Sequence, residues 1–144
     1  MLLPNKFKLP GILMIFAGAI LTFFYFGFDF RFEMPVLALF SSYMESKFFT
    51  TFRTNFADEL IMLLFLSGLF MLSFSEDKNE LDFYNSLRIK ALIKTAVAES
   101  IIVVLILLFV YGTGFMAFSI INLFLPFILY LIIFNILKKR ARVN

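Results

Sequence analysis

The chain has 144 residues, of which 62% are apolar and only 16% are charged. A soluble domain of this length has too little interior to bury so many apolar side chains, so the composition excludes an ordinary soluble protein and predicts an integral membrane protein. The sequence has no Cys and no His, which excludes disulfides, thiolate or imidazole metal ligands, and nucleophiles or bases built on these residues.

The first predicted span covers residues 10–28 and follows two lysines. Pro10 suits the first position of a helix, where its missing N–H costs nothing. The apolar run is too long for the hydrophobic region of a signal peptide, and no small-x-small cleavage site follows it. We therefore expect a retained membrane helix, which Gly27 is well placed to end.

Residues 29–55 are predicted to form an amphipathic cap over the outer ends of the helices. Phe alternates with other residues up to Phe32, and a period of two favours an extended chain that separates the rings from the charges. Beyond Pro35, the apolar spacing over residues 36–56 favours an amphipathic helix in the headgroup region. A short β-hairpin that uses "FFTTF" is the alternative, because Phe and Thr both favour strands.

The second predicted span covers residues 56–74. Asn55 can cap it, and Asp58 and Glu59 lie in its first turn, where the helix dipole favours negative charge. The acidic pair could instead bind a cation at the outer face. Capping and dipole complementarity account for both residues without a ligand, so we prefer that interpretation.

Residues 75–90 are predicted to form a cytosolic loop that runs from acidic to basic and leads into the third helix near Glu80. That helix would project about three turns from the membrane. Its charges could bind a cytosolic partner or a second copy of the chain, or they could only complement the helix dipole. The residues concerned are Glu76, Asp77, Glu80, Asp82, Arg88 and Lys90.

The third and fourth spans are predicted over residues 91–111 and 115–137. Only a tight turn fits between them, so the two helices should be antiparallel neighbours. Pro126 should bend the fourth helix. The predicted fold is therefore an all-α membrane protein, a single domain of four transmembrane helices.

The distribution of Lys and Arg predicts the orientation. With four spans, both termini lie on one side, and that side would hold ten of the thirteen basic residues. The excess of basic residues predicts that both termini are cytoplasmic. The ten are Lys6, Lys8, Lys78, Arg88, Lys90, Lys94, Lys138, Lys139, Arg140 and Arg142.

Among Asp, Glu, Lys and Arg residues, Glu99 is the one that lies well inside a predicted span rather than near its end, and charge there is costly enough to suggest a function. It could bind a proton, a cation or the basic group of a partner. Alternatively, it could join helices through a hydrogen bond or reach the headgroups. Ser73 and Asn135 are the expected polar neighbours.

Residues 55–92 resemble a group of small, uncharacterised bacterial inner-membrane proteins with four helices. The resemblance rests on an Asp-Glu pair that opens the second span and on an acidic loop that leads into a Leu-Arg helix. It implies the fold and the compartment, and it implies no activity. This chain has "NELD" where those proteins often have a denser acidic cluster. The matching residues are Asp58, Glu59, Glu76, Glu80, Asp82, Leu87 and Arg88.

No catalytic, phosphate-binding or cofactor motif occurs in the sequence. We therefore expect a non-catalytic accessory, sensor or assembly subunit that acts through its cytosolic helix and outer cap. Its expected partners are membrane lipids together with a cytosolic protein or further copies of itself, and not nucleic acid. The alternative is a small oligomeric channel or transporter for ions or protons that uses Glu99.

Overall fold

A computed structural model of the protein describes residues 2–41, 47–78 and 83–143. Four of its helices are long and apolar enough to cross a membrane, which confirms the four predicted spans as helices. A short 3-10 turn, Asn5–Phe7, precedes the first. The elements are α1 (Lys8–Gly27), β1 (Glu33–Ser41), β2 (Lys47–Asn55), α2 (Ala57–Phe74), α3 (Tyr84–Phe109) and α4 (Thr113–Val143).

The order of the helices in space differs from their order in the chain. Extensive contacts join α1 to α2, α2 to α4, and α4 to α3. The tight connection makes α3 and α4 antiparallel neighbours, as predicted, with Gly112 at a φ of 67° in the turn. α4 continues through Pro126 as one helix. Because α4 packs on both α2 and α3, it lines any crevice between those two helices.

The α1–α2 contact depends on glycine. A Cβ atom on Gly68 would lie 2.7 Å from the carbonyl oxygen of Gly11, so the two backbones approach too closely for any larger residue. Gly18 packs farther along α1 against Leu64 and Phe65. Small residues allow this close approach where lipid supplies no hydrophobic force to hold helices together.

β1 and β2 form a two-stranded antiparallel hairpin, so the preferred prediction of an amphipathic helix over residues 36–56 is wrong. β1 pairs with β2 from Glu33 opposite Asn55 to Ser41 opposite Lys47. The Phe and Thr residues that favour strands outweighed the helical spacing of the apolar residues, as the alternative prediction allowed. Residues 42–46, which join the two strands in the chain, lie outside the described ranges.

Hydrogen bonds of Asn55 connect the base of the hairpin to α1 and α2. Its Oδ1 atom accepts hydrogen bonds from the N–H groups of Phe32, at 3.2 Å, and Ala57, at 3.3 Å, and its Nδ2 atom donates to Tyr25 Oη at 3.5 Å. The backbone N-cap of α2 is Phe56. Asn55 therefore supports the start of α2 from one residue earlier than a usual cap, while it also contacts α1.

At the other end of α1, the N-terminal segment runs beside the residues that follow α2. The Leu3 N–H donates to the carbonyl oxygen of Phe74 at 2.8 Å, and the Glu76 N–H donates to the carbonyl oxygen of Leu3 at 2.9 Å. Ion pairs that connect Asp77 to Lys8 and Lys138 lie at this same end. We call it the basic end and the opposite one the hairpin end.

Candidate functional site

One stripe of α3 carries two of the four buried polar or charged residues in the described ranges, Arg88 and Thr95. Tyr84, Arg88, Ala91, Thr95 and Glu99 follow at intervals of three or four residues, so they share one face of the helix. The first four are buried. The sequence pattern placed Arg88 among the charges of a surface that could bind a partner.

Arg88 is 5% exposed and binds the end of α2. Its Nη2 atom donates to the carbonyl oxygen of Ser75 at 3.1 Å, and its Nη1 atom lies 3.5 Å from that of Ser73. Carbonyls at the end of a helix have no partner within it, and the helix dipole there favours a cation. The guanidinium therefore caps α2 from a neighbouring helix.

Two aromatic residues of α4 complete the surroundings of Arg88. Nη1 also donates to Tyr130 Oη at 3.3 Å, and the guanidinium carbon lies 4.6 Å from the centre of the Phe134 ring. The Tyr130 and Phe134 rings stack with only 3° between their planes. Arg88 is thus built into the contact among α2, α3 and α4, and its side chain is not part of an exposed interaction surface, contrary to the sequence prediction.

The other charged residues of the predicted cytosolic loop separate into three groups. Glu76 and Lys90 are exposed. Asp77 forms ion pairs with Lys8 on α1 and Lys138 on α4. Glu80 and Asp82 lie outside the described residues.

Burial of Asp77 acts to raise the pKa of its carboxyl, but hydrogen bonds from Lys138 and Lys8 outweigh this effect. The net result is a pKa below the usual value. The carboxylate is therefore stabilised as an anion between two helix ends. Lys138 also lies with its Nζ atom 5.0 Å from the centre of the Tyr84 ring, which connects this cluster to α3.

A pocket of about 400 Å³ lies between α2, α3 and α4. Ser73, Thr95 and Glu99 all line it, so the structure brings together Glu99 and one of its predicted neighbours. The hydroxyls of Ser73 and Thr95 and both carboxylate oxygens of Glu99 are buried without a hydrogen-bond partner among the described residues. Such groups are costly to bury, and the residues that carry them line one pocket, which makes that pocket a candidate binding site.

Asn135 does not line this pocket and is exposed. Because α3 and α4 are antiparallel about Gly112, Glu99 lies level with Pro126, which does line the pocket. Asn122 approaches the Glu99 carboxylate from α4, although the pair does not reach hydrogen-bond geometry. Counting residues outward from the turn would have identified Asn122 as the polar residue of α4 nearest Glu99.

Asp58 and Glu59 lie in the first turn of α2, as predicted. Asp58 is exposed, and the Oε2 atom of Glu59 is buried with no partner in the described part of the chain. Their position agrees with dipole complementarity. No group of three or more His, Cys, Asp or Glu residues suited to a metal ion occurs in the described ranges.

Several large apolar side chains of the hairpin are exposed. Leu37, Leu39 and Phe49 are between 63% and 75% exposed. Each strand pairs with the other alone in the sheet that the described residues form. The outer edges of both nine-residue strands are therefore open to another chain.

No family model matches the chain, and no curated protein or solved structure matches it either.

Proposed function

We propose that this chain is a non-catalytic, multi-pass protein of the bacterial inner membrane that serves as an accessory or assembly subunit. Both termini lie in the cytoplasm, and the hairpin binds a partner protein outside it. The excess of Lys and Arg on the side of the termini supports this orientation. The resemblance of residues 55–92 to small bacterial four-helix proteins favours the same compartment.

The single observation that carries the proposal is the open hairpin. An isolated two-stranded hairpin is marginally stable in water, and exposed strand edges are templates for pairing with another chain. The apolar side chains of Leu37, Leu39 and Phe49 add a hydrophobic contact to the backbone hydrogen bonds of that pairing. Addition of a partner's strand would therefore stabilise both the hairpin and the complex.

Pro35 indicates which positions of β1 face outward. Proline has no N–H, so it is tolerated where the N–H would point away from the paired strand. Leu37 and Leu39 follow Pro35 at alternate positions of β1. Their N–H groups therefore point to the same side as position 35, which is the open edge. They are the positions at which an added strand would accept hydrogen bonds from β1.

This geometry allows a sharp test in native membranes. A photoreactive amino acid at Leu39 should crosslink to one discrete protein, whereas the same probe at Leu108, an exposed apolar position in α3, should crosslink to lipid. Adding Leu37→Pro should abolish the protein adduct because it removes an outward N–H, and the matched Leu37→Thr should retain it. Lipid adducts alone at Leu39, or an adduct that survives Leu37→Pro, would contradict the proposal.

A second function is favoured by the pocket of Glu99. A small oligomeric channel or transporter for ions or protons would need a polar group within the membrane, and the unpartnered oxygens of Glu99 provide one. In liposomes, the Glu99→Gln variant should then lose ion or proton flux while assembling normally. Equal flux through the variant and the unchanged protein would remove this function.

A further inference from the structure

We propose that the pocket between α2, α3 and α4 binds one lipophilic amine, with the ammonium group at Glu99 and the apolar body against α2 and α4. The pocket volume, about 400 Å³, falls within the range of about 300–1,000 Å³ typical of small-ligand sites. The inference is independent of the hairpin and its partner.

The polar groups of the pocket specify an ammonium. Glu99, Thr95 and Ser73 present oxygen atoms that lack partners in the described structure, and an ammonium can donate three hydrogen bonds. Thr95 precedes Glu99 by four residues on the same helix face, and Ser73 faces both from α2. Ser73 is 1% exposed and Thr95 is 5% exposed, so both side chains are almost wholly buried.

Most of the remaining wall is apolar, and the hydroxyl-bearing Ser100 and Tyr130 complete it. Phe74 from α2, Leu92 from α3, and Phe127 with Pro126 from α4 line the pocket. Aromatic and aliphatic walls with a few convergent polar groups are typical of sites for small organic ligands. The pocket therefore suits a molecule that is apolar along most of its length and has one amine.

Other classes of ligand fit less well. An anion would find no Lys or Arg side chain among the residues that line the pocket. A hard metal ion prefers about six to eight oxygen ligands, and the described residues contain no cluster of acidic side chains. Arg88 does not compete for the pocket, because it lies roughly 16 Å from Glu99 along α3 and its guanidinium binds Ser75 and Tyr130.

Proton transfer allows binding without a net charge in the pocket. A neutral amine accepts the proton of the Glu99 carboxyl, which leaves an ammonium paired with a carboxylate. If the amine is already protonated and Glu99 is already ionised, the same ion pair forms without proton transfer. In both cases the bound state carries opposite charges that compensate each other, which lowers the cost of burying either one.

Photolabelling of the full-length protein in lipid nanodiscs tests the inference. The probe is an alkylamine with a diazirine in its chain, and the comparison probe is the alkyl alcohol of the same length. The amine should label peptides that contain Leu92 and Phe127, and the alcohol should label them far less. Glu99→Gln should reduce labelling by the amine about tenfold or more, because a charge-assisted hydrogen bond is lost.

Glu76→Gln is the matched control, since it removes one exposed carboxylate at the basic end and should leave labelling unchanged. If Glu99→Gln does not fold, the Thr95→Val variant tests the proposal instead. It removes one hydrogen-bond acceptor of the ammonium and should weaken labelling by the amine several-fold. Equal labelling of the Glu99→Gln and unchanged proteins, equal labelling by amine and alcohol, or labels outside the pocket would overturn the proposal. Loss of amine labelling with an intact Leu39 crosslink separates this site from the hairpin function.

Discussion

The Nη2 atom of Arg88 donates a hydrogen bond to the carbonyl oxygen of Ser75 over 3.1 Å, so a cation on α3 closes the end of α2. The same guanidinium contacts Tyr130 and Phe134 on α4. Three helices therefore meet at one side chain, and the stability of the basic end should depend on it.

Replacement of Arg88 by Met should destabilise the protein by about 3 kcal/mol, because the carbonyl oxygens of Ser73 and Ser75 would lose a charged donor while buried. Thermal unfolding in detergent, followed by circular dichroism, measures the change. Lys90→Met is the matched control at an exposed position and should change stability by less than about 0.5 kcal/mol. Similar effects of the two substitutions would show that Arg88 has no structural role.

The Asp77 ion pairs predict a specific dependence on pH. Because the folded pKa of Asp77 lies below its usual value, its contribution to stability is complete above the unfolded pKa, about 4. The contribution is lost as the pH falls through the lower, folded pKa. The difference in melting temperature between the unchanged protein and Asp77→Asn should therefore be constant near neutral pH and shrink on acidification. A difference that stays constant down to pH 2 would contradict this account.

Gly68→Ala should separate α1 from α2. The new Cβ atom would lie 2.7 Å from the Gly11 carbonyl oxygen, a backbone atom that cannot rotate away, and overpacking of this kind costs about 1–3 kcal/mol. The control is Gly27→Ala, since no atom lies within 4 Å of the added Cβ. That change should be neutral or slightly stabilising because alanine favours a helix. Unfolding temperatures in detergent distinguish the two variants.

Anionic lipid should stabilise the basic end. A cleft of about 730 Å³ there is lined by Lys6, Lys8, Lys78 and Lys138 together with the single carboxylate of Asp77. Basic residues near an anionic membrane surface each contribute on the order of 1 kcal/mol of attraction. Phosphatidylglycerol should therefore raise the melting temperature more than phosphatidylcholine does.

The double variant Lys6→Ala with Lys78→Ala should reduce that difference between lipids. High salt should reduce it too, because the attraction of exposed charges is screened. An undiminished difference in the double variant would place the lipid contact elsewhere. Both lysines are exposed, so the substitutions should not affect folding.

The hairpin shows why some local structure was ambiguous in the sequence. The apolar residues between Val36 and Phe56 fit helical spacing, while the Phe and Thr residues of β2 favour a strand. Eight residue pairs join the two strands and satisfy backbone groups that neither pattern describes. Whether residues 36–56 form a helix or strands depends on pairing between two segments. A local sequence pattern describes one segment at a time and does not contain that information.

The sequence by itself determined that four helices form and nearly where they begin and end, because an apolar run of membrane-crossing length can satisfy its backbone polar groups only as a helix or a closed barrel. It also identified Glu99 as the polar residue of interest within a span. The tertiary structure alone decided that Arg88 is buried and that Thr95 lines the same pocket as Glu99 and its predicted neighbour Ser73. Those relations depend on which helices are neighbours and on how far each is shifted along the next, and both result from packing between segments distant in the chain.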